Sequence, residues 1–215
     1  MNEVIFERNE DKAVSMAAYM KNLFPFAGIP APERIRLTKP ALRESKQLTF
    51  DELAALVRFY YDKPEREYQY LAIDLITANV KRLTFDQLLH FKPFVIEKAW
   101  WDSVDAWRKF FGLWGAANFT EMPQVFAAFF GEADFWHRRI AINLQLMYKE
   151  NTDTGLLKKA IIYDKTTKEF FIQKAIGWSL RQYSKTDPAW VRAFIETTEL
   201  SSLAVREGSK YLPRN

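Results

Sequence analysis

Leu48-Thr49-Phe50-Asp51-Glu52 returns 35 residues later as Leu83-Thr84-Phe85-Asp86-Gln87. In each copy a threonine hydroxyl is spaced to accept from the backbone N–H three residues on, where a Glu or Gln reaches back to the threonine N–H. This is the capping box that opens a helix. A 35-residue offset is too long for a coiled-coil heptad and is the period of a helical repeat. It recurs where Arg138-Arg139-Ile140-Ala141-Ile142 through Tyr148 aligns with Gln173-Lys174-Ala175-Ile176-Gly177 through Tyr183. Tyr70-Leu71-Ala72-Ile73-Asp74-Leu75 resembles Arg139-Ile140-Ala141-Ile142-Asn143-Leu144 at an offset of 69. Pro25, Pro30, Pro32, Pro64, Pro93, Pro123 and Pro188 fall at expected helix starts or joints, where a missing N–H costs nothing, and Pro40 is expected to end or kink a helix. With only seven glycines and few alternating segments, a sheet has little room. The sequence predicts an all-α fold of stacked helical repeats, a solenoid with a concave face. No linker or low-complexity tract divides the chain, so residues 1–215 are expected to form a single helical-repeat domain.

Composition bounds the chemistry. The chain has 215 residues, 48% of them hydrophobic, enough for a sizeable core. Thirty-one Lys and Arg against 27 Asp and Glu give a net charge of +4, an excess that matters for polyanions only where it is gathered on one surface. Without cysteine, and with His90 and His137 as the two histidines, the sequence has neither a thiolate zinc site nor a histidine cluster, so neither metal nor cofactor is expected. The N-terminus lacks the regions of a secretion signal, and no apolar run reaches membrane-spanning length. A cytoplasmic monomer with no membrane partner is the expectation.

Helical phase singles out certain side chains. Over a helix from about Lys168 to Lys185, Ile172, Ile176, Ser179 and Tyr183 fall on an inner face, while Lys174, Trp178, Arg181 and Lys185 fall on the far side. An aromatic ring among cations suits a surface that holds phosphates and stacks on a base or sugar; a core tryptophan is the competing reading. On a helix starting near Asp102, Trp101, Asp105, Arg108, Lys109 and Gly112 share one strip. Trp101 and Asp105 lie one turn apart and so can meet one ligand together. Asp105 is read either as a first-turn stabiliser of the helix N-terminus or as a carboxylate facing a developing positive charge. Gly112 implies close packing or close approach of a ligand. Arg138 and Arg139 lie in an otherwise apolar helix, where each must pair with an acid or point into a groove. His137 is read as a solvated or hydrogen-bonded neighbour, and Lys158-Lys159 and Arg34 with Arg36 as solvated faces.

These residues resemble the bacterial DNA alkylation repair enzymes of the AlkD type, helical-repeat DNA glycosylases that excise cationic 3- and 7-alkylpurines. The resemblance runs through Phe26-Ala27-Gly28-Ile29 with Pro32-Glu33-Arg34, Arg66-Glu67-Tyr68-Gln69-Tyr70, Trp100-Trp101-Asp102-Ser103-Val104-Asp105, Trp136 to Lys149, Glu169 to Trp178, and Arg206-Glu207. It implies an all-α fold of HEAT-like helical repeats stacked into a curved right-handed solenoid with a concave basic face, and catalytic roles for Trp101, Asp105, Arg139 and Trp178. Counting back from Gln145-Leu146-Met147-Tyr148-Lys149 favours Arg139 over Arg138. Lys174, Arg181, Lys185, Arg108 and Lys109 are the expected DNA-binding residues, and duplex DNA containing alkylated purines is the expected partner. The implied reaction releases 7-methylguanine or 3-methyladenine, with Asp105 stabilising an oxocarbenium-like sugar and positioning water, Trp101 and Trp178 packing on the sugar, and Arg139 holding a flanking phosphate. Whether the base is flipped stays open. The competing class is a non-catalytic helical-repeat module that binds distorted DNA or an acidic protein partner.

Overall fold

The computed structural model describes residues 2–212, and these residues contain helices and turns but no strand. The chain divides into two compact units, residues 1–90 and 91–215.

In the first unit, α1 (Glu10–Tyr19), α2 (Ala31–Glu44), α3 (Phe50–Asp62), α4 (Arg66–Ala78) and the short α5 (Phe85–Leu89) follow one another. Both capping boxes form. Thr49 Oγ1 accepts from the Glu52 N–H and Glu52 accepts from the Thr49 N–H; Thr84 and Gln87 exchange the same two bonds. The α3–α4 pair buries Leu53, Val57, Tyr60 and Tyr61 of α3 and Leu71, Leu75 and Ile76 of α4. Pro40 does not end its helix, since α2 runs through it to Glu44. The loop before α2 is fastened by Glu67, whose buried carboxylate accepts from the Ala27, Gly28 and Ile29 N–H groups at 2.9–3.0 Å. Gly28 has φ +85°, and a Cβ there would fall 2.2 Å from the Asn9 carbonyl oxygen, so only glycine fits the turn. Arg34, expected on a solvated face, instead pairs with Asp74 and lies over the Tyr70 ring; Arg36 is exposed as expected.

The second unit holds α6 (Trp101–Ala117), α7 (Met122–Phe129), α8 (Phe135–Asn143), α9 (Thr154–Asp164), α10 (Phe170–Tyr183), α11 (Pro188–Thr197) and α12 (Ser202–Gly208). Helices α6, α8 and α10 form a row, α8 packing against both of the others, and α12 lies along α10. Their starts at residues 101, 135 and 170 keep the repeat spacing read from the sequence. The register has a direct consequence: Asp105, Arg139 and Lys174 each occupy the fifth position of their helix, so successive repeats present them at corresponding places along the row.

Burial and small residues lock this row. Trp107, Phe110, Phe111 and Trp114 of α6 are fully or almost fully buried, and so are Ile140 of α8 and Ile172 and Ile176 of α10. Gly112 answers the choice left open by the sequence in favour of close packing: a Cβ there would sit 2.7 Å from the Leu144 carbonyl oxygen. Its own carbonyl accepts from the Tyr148 hydroxyl at 2.8 Å. Gly177 plays the same part between α10 and α12, where a Cβ would come within 2.5 Å of Glu207 Cβ.

Candidate active site

Asp105 lies on the second turn of α6, half-buried, and its carboxylate is gripped from α8. Arg139 donates from Nε to Oδ1 at 3.0 Å and from Nη2 to Oδ2 at 3.1 Å, the two parallel bonds of a guanidinium–carboxylate fork. Its Nη1 donates to the Phe171 carbonyl oxygen at 2.6 Å, so α10 holds the far side of the same guanidinium. The Arg139 side chain is only 6% exposed, against 22% for Asp105. The arginine is therefore a buried fixture and the carboxylate is the accessible member of the pair. The Phe171 backbone that completes this grip is itself wedged by rings: Phe171 lies 5.0 Å from Trp100 and 4.9 Å from Trp136, centroid to centroid.

Trp178 closes the cluster from α10. Its half-buried ring lies beneath two guanidinium groups, with the Arg108 carbon 5.7 Å and the Arg139 carbon 5.9 Å from the ring centroid, both inside the range of cation–π attraction. Trp101, half-buried, is the first residue of α6, one turn before Asp105. Four side chains that the sequence singled out, Asp105, Arg108, Arg139 and Trp178, thus meet, and Trp101 stands on the adjoining turn.

Burial sets the electrostatics. It raises the Asp105 carboxyl above the usual aspartate range, while the charge and hydrogen bonds of Arg139, and then the charge of Arg108, pull it back down. Burial lowers the Arg108 guanidinium, with Asp105 opposing the shift and Arg139 adding to it. The cluster carries one carboxylate and two guanidinium groups, a surplus positive charge beside an accessible carboxylate. Such an arrangement receives phosphate on one side and a cationic or electron-poor centre on the other.

The remaining residues separate. Arg138, adjacent in sequence to Arg139, points to a different purpose: its Nε bonds Asp164 at 3.1 Å and its Nη1 bonds the Glu132 and Ala133 carbonyl oxygens at 2.7 Å. Arg139 is accordingly the arginine that meets the site. Lys174 and Arg181 turn to α12, where Glu207 takes Lys174 Nζ at 3.0 Å on one oxygen and Arg181 Nη1 at 3.1 Å on the other. The cationic strip read along α10 is thus divided, because α12 covers the flank that carries these two residues. Lys185 is exposed, with Nζ bonded to Gln182 at 3.0 Å and 5.0 Å from the centroid of the Tyr211 ring; Lys109 is exposed on α6. The sequence reading gave Arg139 to a flanking phosphate, whereas here its bonds go to Asp105 and the α10 backbone. His137 is buried, its Nε2 3.3 Å from the Lys92 carbonyl oxygen, and Lys158 and Lys159 are exposed.

Phase analysis missed the Phe171 carbonyl and the Glu207 clamp. A backbone acceptor leaves no mark in side-chain identity. Glu207 lies 33 residues beyond Lys174, and only the docking of α12 brings the two together. The repeat offset did carry a usable signal, since it places Asp105, Arg139 and Lys174 in register.

The chain as a whole has counterparts among known proteins. The family profile described as DNA alkylation repair enzyme matches residues 2–212, and the chain belongs to that family. A solved structure described as a predicted DNA alkylation repair enzyme from Enterococcus faecalis is 58% identical, with a TM-score of 0.98 over 99% of this chain and 100% of that one. AlkD2 from Streptococcus mutans is similar in fold at 18% identity, with a TM-score of 0.67 over 82% of this chain and 88% of that one. So is smu.31 from Streptococcus mutans UA159, at 18% identity and a TM-score of 0.63, covering 84% and 98%. No curated protein matches the chain. Among the described residues no helix is long and apolar enough to cross a membrane.

Proposed function

We propose that this protein is a DNA N-glycosylase that excises cationic 3- and 7-alkylated purines, such as 3-methyladenine and 7-methylguanine, from duplex DNA, acting as a cytoplasmic monomer. The observation that carries the reading is the Asp105 carboxylate, fixed by the Arg139 fork, accessible, and flanked by Trp178. N3- or N7-alkylation leaves the purine positively charged, so the base departs as a neutral molecule when the C1′–N bond breaks and takes the bonding pair. Positive charge then builds on the deoxyribose. A preoriented carboxylate is worth most against charge that develops in the transition state, because its geometry is already established. Asp105 faces that charge and orients the water whose oxygen bonds to C1′, the released proton passing to the carboxylate or to solvent. Trp178, with Trp101 on the adjoining turn, offers aromatic faces to the sugar and the cationic base. Arg139 acts here through Asp105, which makes it a positioning residue.

A purely DNA-binding module gains nothing from a carboxylate facing phosphates, so Asp105 also separates the two classes of function. The test is release of free N7-methylguanine from methylated duplex DNA by the purified protein, compared with Asp105→Asn. Release by the wild type and its loss in the variant is expected. A wild type that binds the duplex tightly and releases no base over many hours overturns the proposal.

A further inference from the structure

Arg108 is the residue in the cluster whose bonding is incomplete. Its guanidinium lies over Trp178, yet its Nε is buried and has no hydrogen-bond partner among the described residues. An unsatisfied buried donor costs stability, more so on a charged group, unless a ligand supplies the acceptor. The Asp105 oxygens bond Arg139, and neither takes the Arg108 Nε. Arg108 also opens onto a groove of about 430 Å³, with Lys109 beside it and Leu113, Ala116, Leu144 and Met147 along its walls. Leu113 and Met147 are 42% and 63% exposed, so the wall presents apolar surface outward. A cation at the head of an apolar trough fits a ligand that alternates an anion with an apolar ring, as a sugar–phosphate strand does.

We propose that Arg108 seats one phosphodiester of the bound strand, with Lys109 at its outer edge and the adjoining deoxyribose lying on Leu113 and Met147. The assignment rests on the reading of this cluster as a DNA site and identifies which cation makes the contact: Arg108 takes the phosphate while Arg139 stays on Asp105. It also distinguishes Arg108 from Lys174 and Arg181, each of which already holds an ion pair with Glu207.

The test is equilibrium binding of undamaged duplex across a salt series, which does not depend on excision. Each phosphate contact contributes about 0.9 to the slope of log affinity against log salt. Arg108→Gln is expected to reduce that slope by about one unit, whereas Lys174→Ala leaves it near the wild-type value. Arg108→Lys, which keeps the charge and removes the Nε donor, is expected to keep the slope and lose several-fold in affinity. A wild-type slope in a folded Arg108→Gln overturns the proposal. Should that variant fail to fold, wild-type affinity in Arg108→Lys at every salt concentration overturns it instead. A reduced slope in a protein that releases no base would leave the phosphate seat standing and remove the glycosylase reading; normal excision with an unchanged slope would do the reverse.

Discussion

The two flanks of α10 carry similar residues to different ends. On one, Trp178 meets Arg108 and Arg139, and the guanidinium of Arg139 grips a carboxylate that stays open to solvent. On the other, Lys174 and Arg181 close on Glu207, and Gly177 lets α12 come within van der Waals contact. Both flanks pair cations with one acid. The two acids are almost equally exposed, 22% for Asp105 and 19% for Glu207, and the flanks differ in the cations: Arg139 is buried at 6%, whereas Lys174 and Arg181 are 39% and 26% exposed. How the acid is held separates the two: a buried two-bond fork from α8 fixes Asp105, whereas two partly exposed cations of α10 share Glu207 and so dock α12.

The comparison breaks most sharply at Asp105. Replacing it by Asn should lower single-turnover excision of N7-methylguanine by roughly 100- to 1000-fold, the scale of removing one preorganised electrostatic group. Affinity for undamaged duplex should hold or improve. A large loss of affinity with an unaltered single-turnover rate would reverse the roles assigned to the two flanks.

Next comes Gly177→Ala, which tests the docking flank by packing. A Cβ forced toward Glu207 Cβ and the Ala204 carbonyl should cost about 1–3 kcal/mol of stability through overpacking. Thermal unfolding measures it, and a wild-type Tm would mean that α12 docks more loosely than described.

Trp178→Ala should reduce excision about tenfold, corresponding to the 1–2 kcal/mol of a partly desolvated cation–π contact, with a smaller change in binding of undamaged duplex. If its main effect is on Tm, Trp178 belongs to the core and the open flank is smaller than proposed.

The pH dependence of excision is a gentler probe. Asp105 must be ionised to act, and burial holds its carboxyl above the ordinary aspartate value of about 3.9. The rate should therefore fall, as pH is lowered, at a pH above that value. The docking flank shifts in the opposite direction. Hydrogen bonding to Lys174 lowers the Glu207 carboxyl, so its contribution to stability is present above the unfolded glutamate value and is lost only as pH falls through the lower folded one. Excision should thus fail on acidification before α12 loosens, as followed by rate and by amide exchange in residues 202–208. The opposite order would contradict the assignment.

Much of this was legible in local sequence. Thr49-x-x-Glu52 and Thr84-x-x-Gln87 specify capping boxes because their partners lie three residues apart on the same chain. The repeat offset and the phase of Ile172 and Ile176 follow from helix geometry alone, and so does the nearness of Trp101 to Asp105. Pro40 does not end α2, because a helix held by tertiary packing survives the loss of one backbone bond. Arg138 and Arg139 looked alike, since both are arginines in an apolar helix; the 100° between them sends one to Asp164 and the other to Asp105.

What the sequence by itself determined, then, is an all-helical chain with helices at repeat spacing and a set of chemically apt residues, because capping, periodicity and phase are local properties. Tertiary structure alone decided their partners. Whether a cation on α10 is available depends on α12 arriving with Glu207, and whether Asp105 is a cap or a fixed carboxylate depends on Arg139 crossing from α8. Charge neutralisation is a property of groups within a few ångströms of one another, and distance along the chain does not report it.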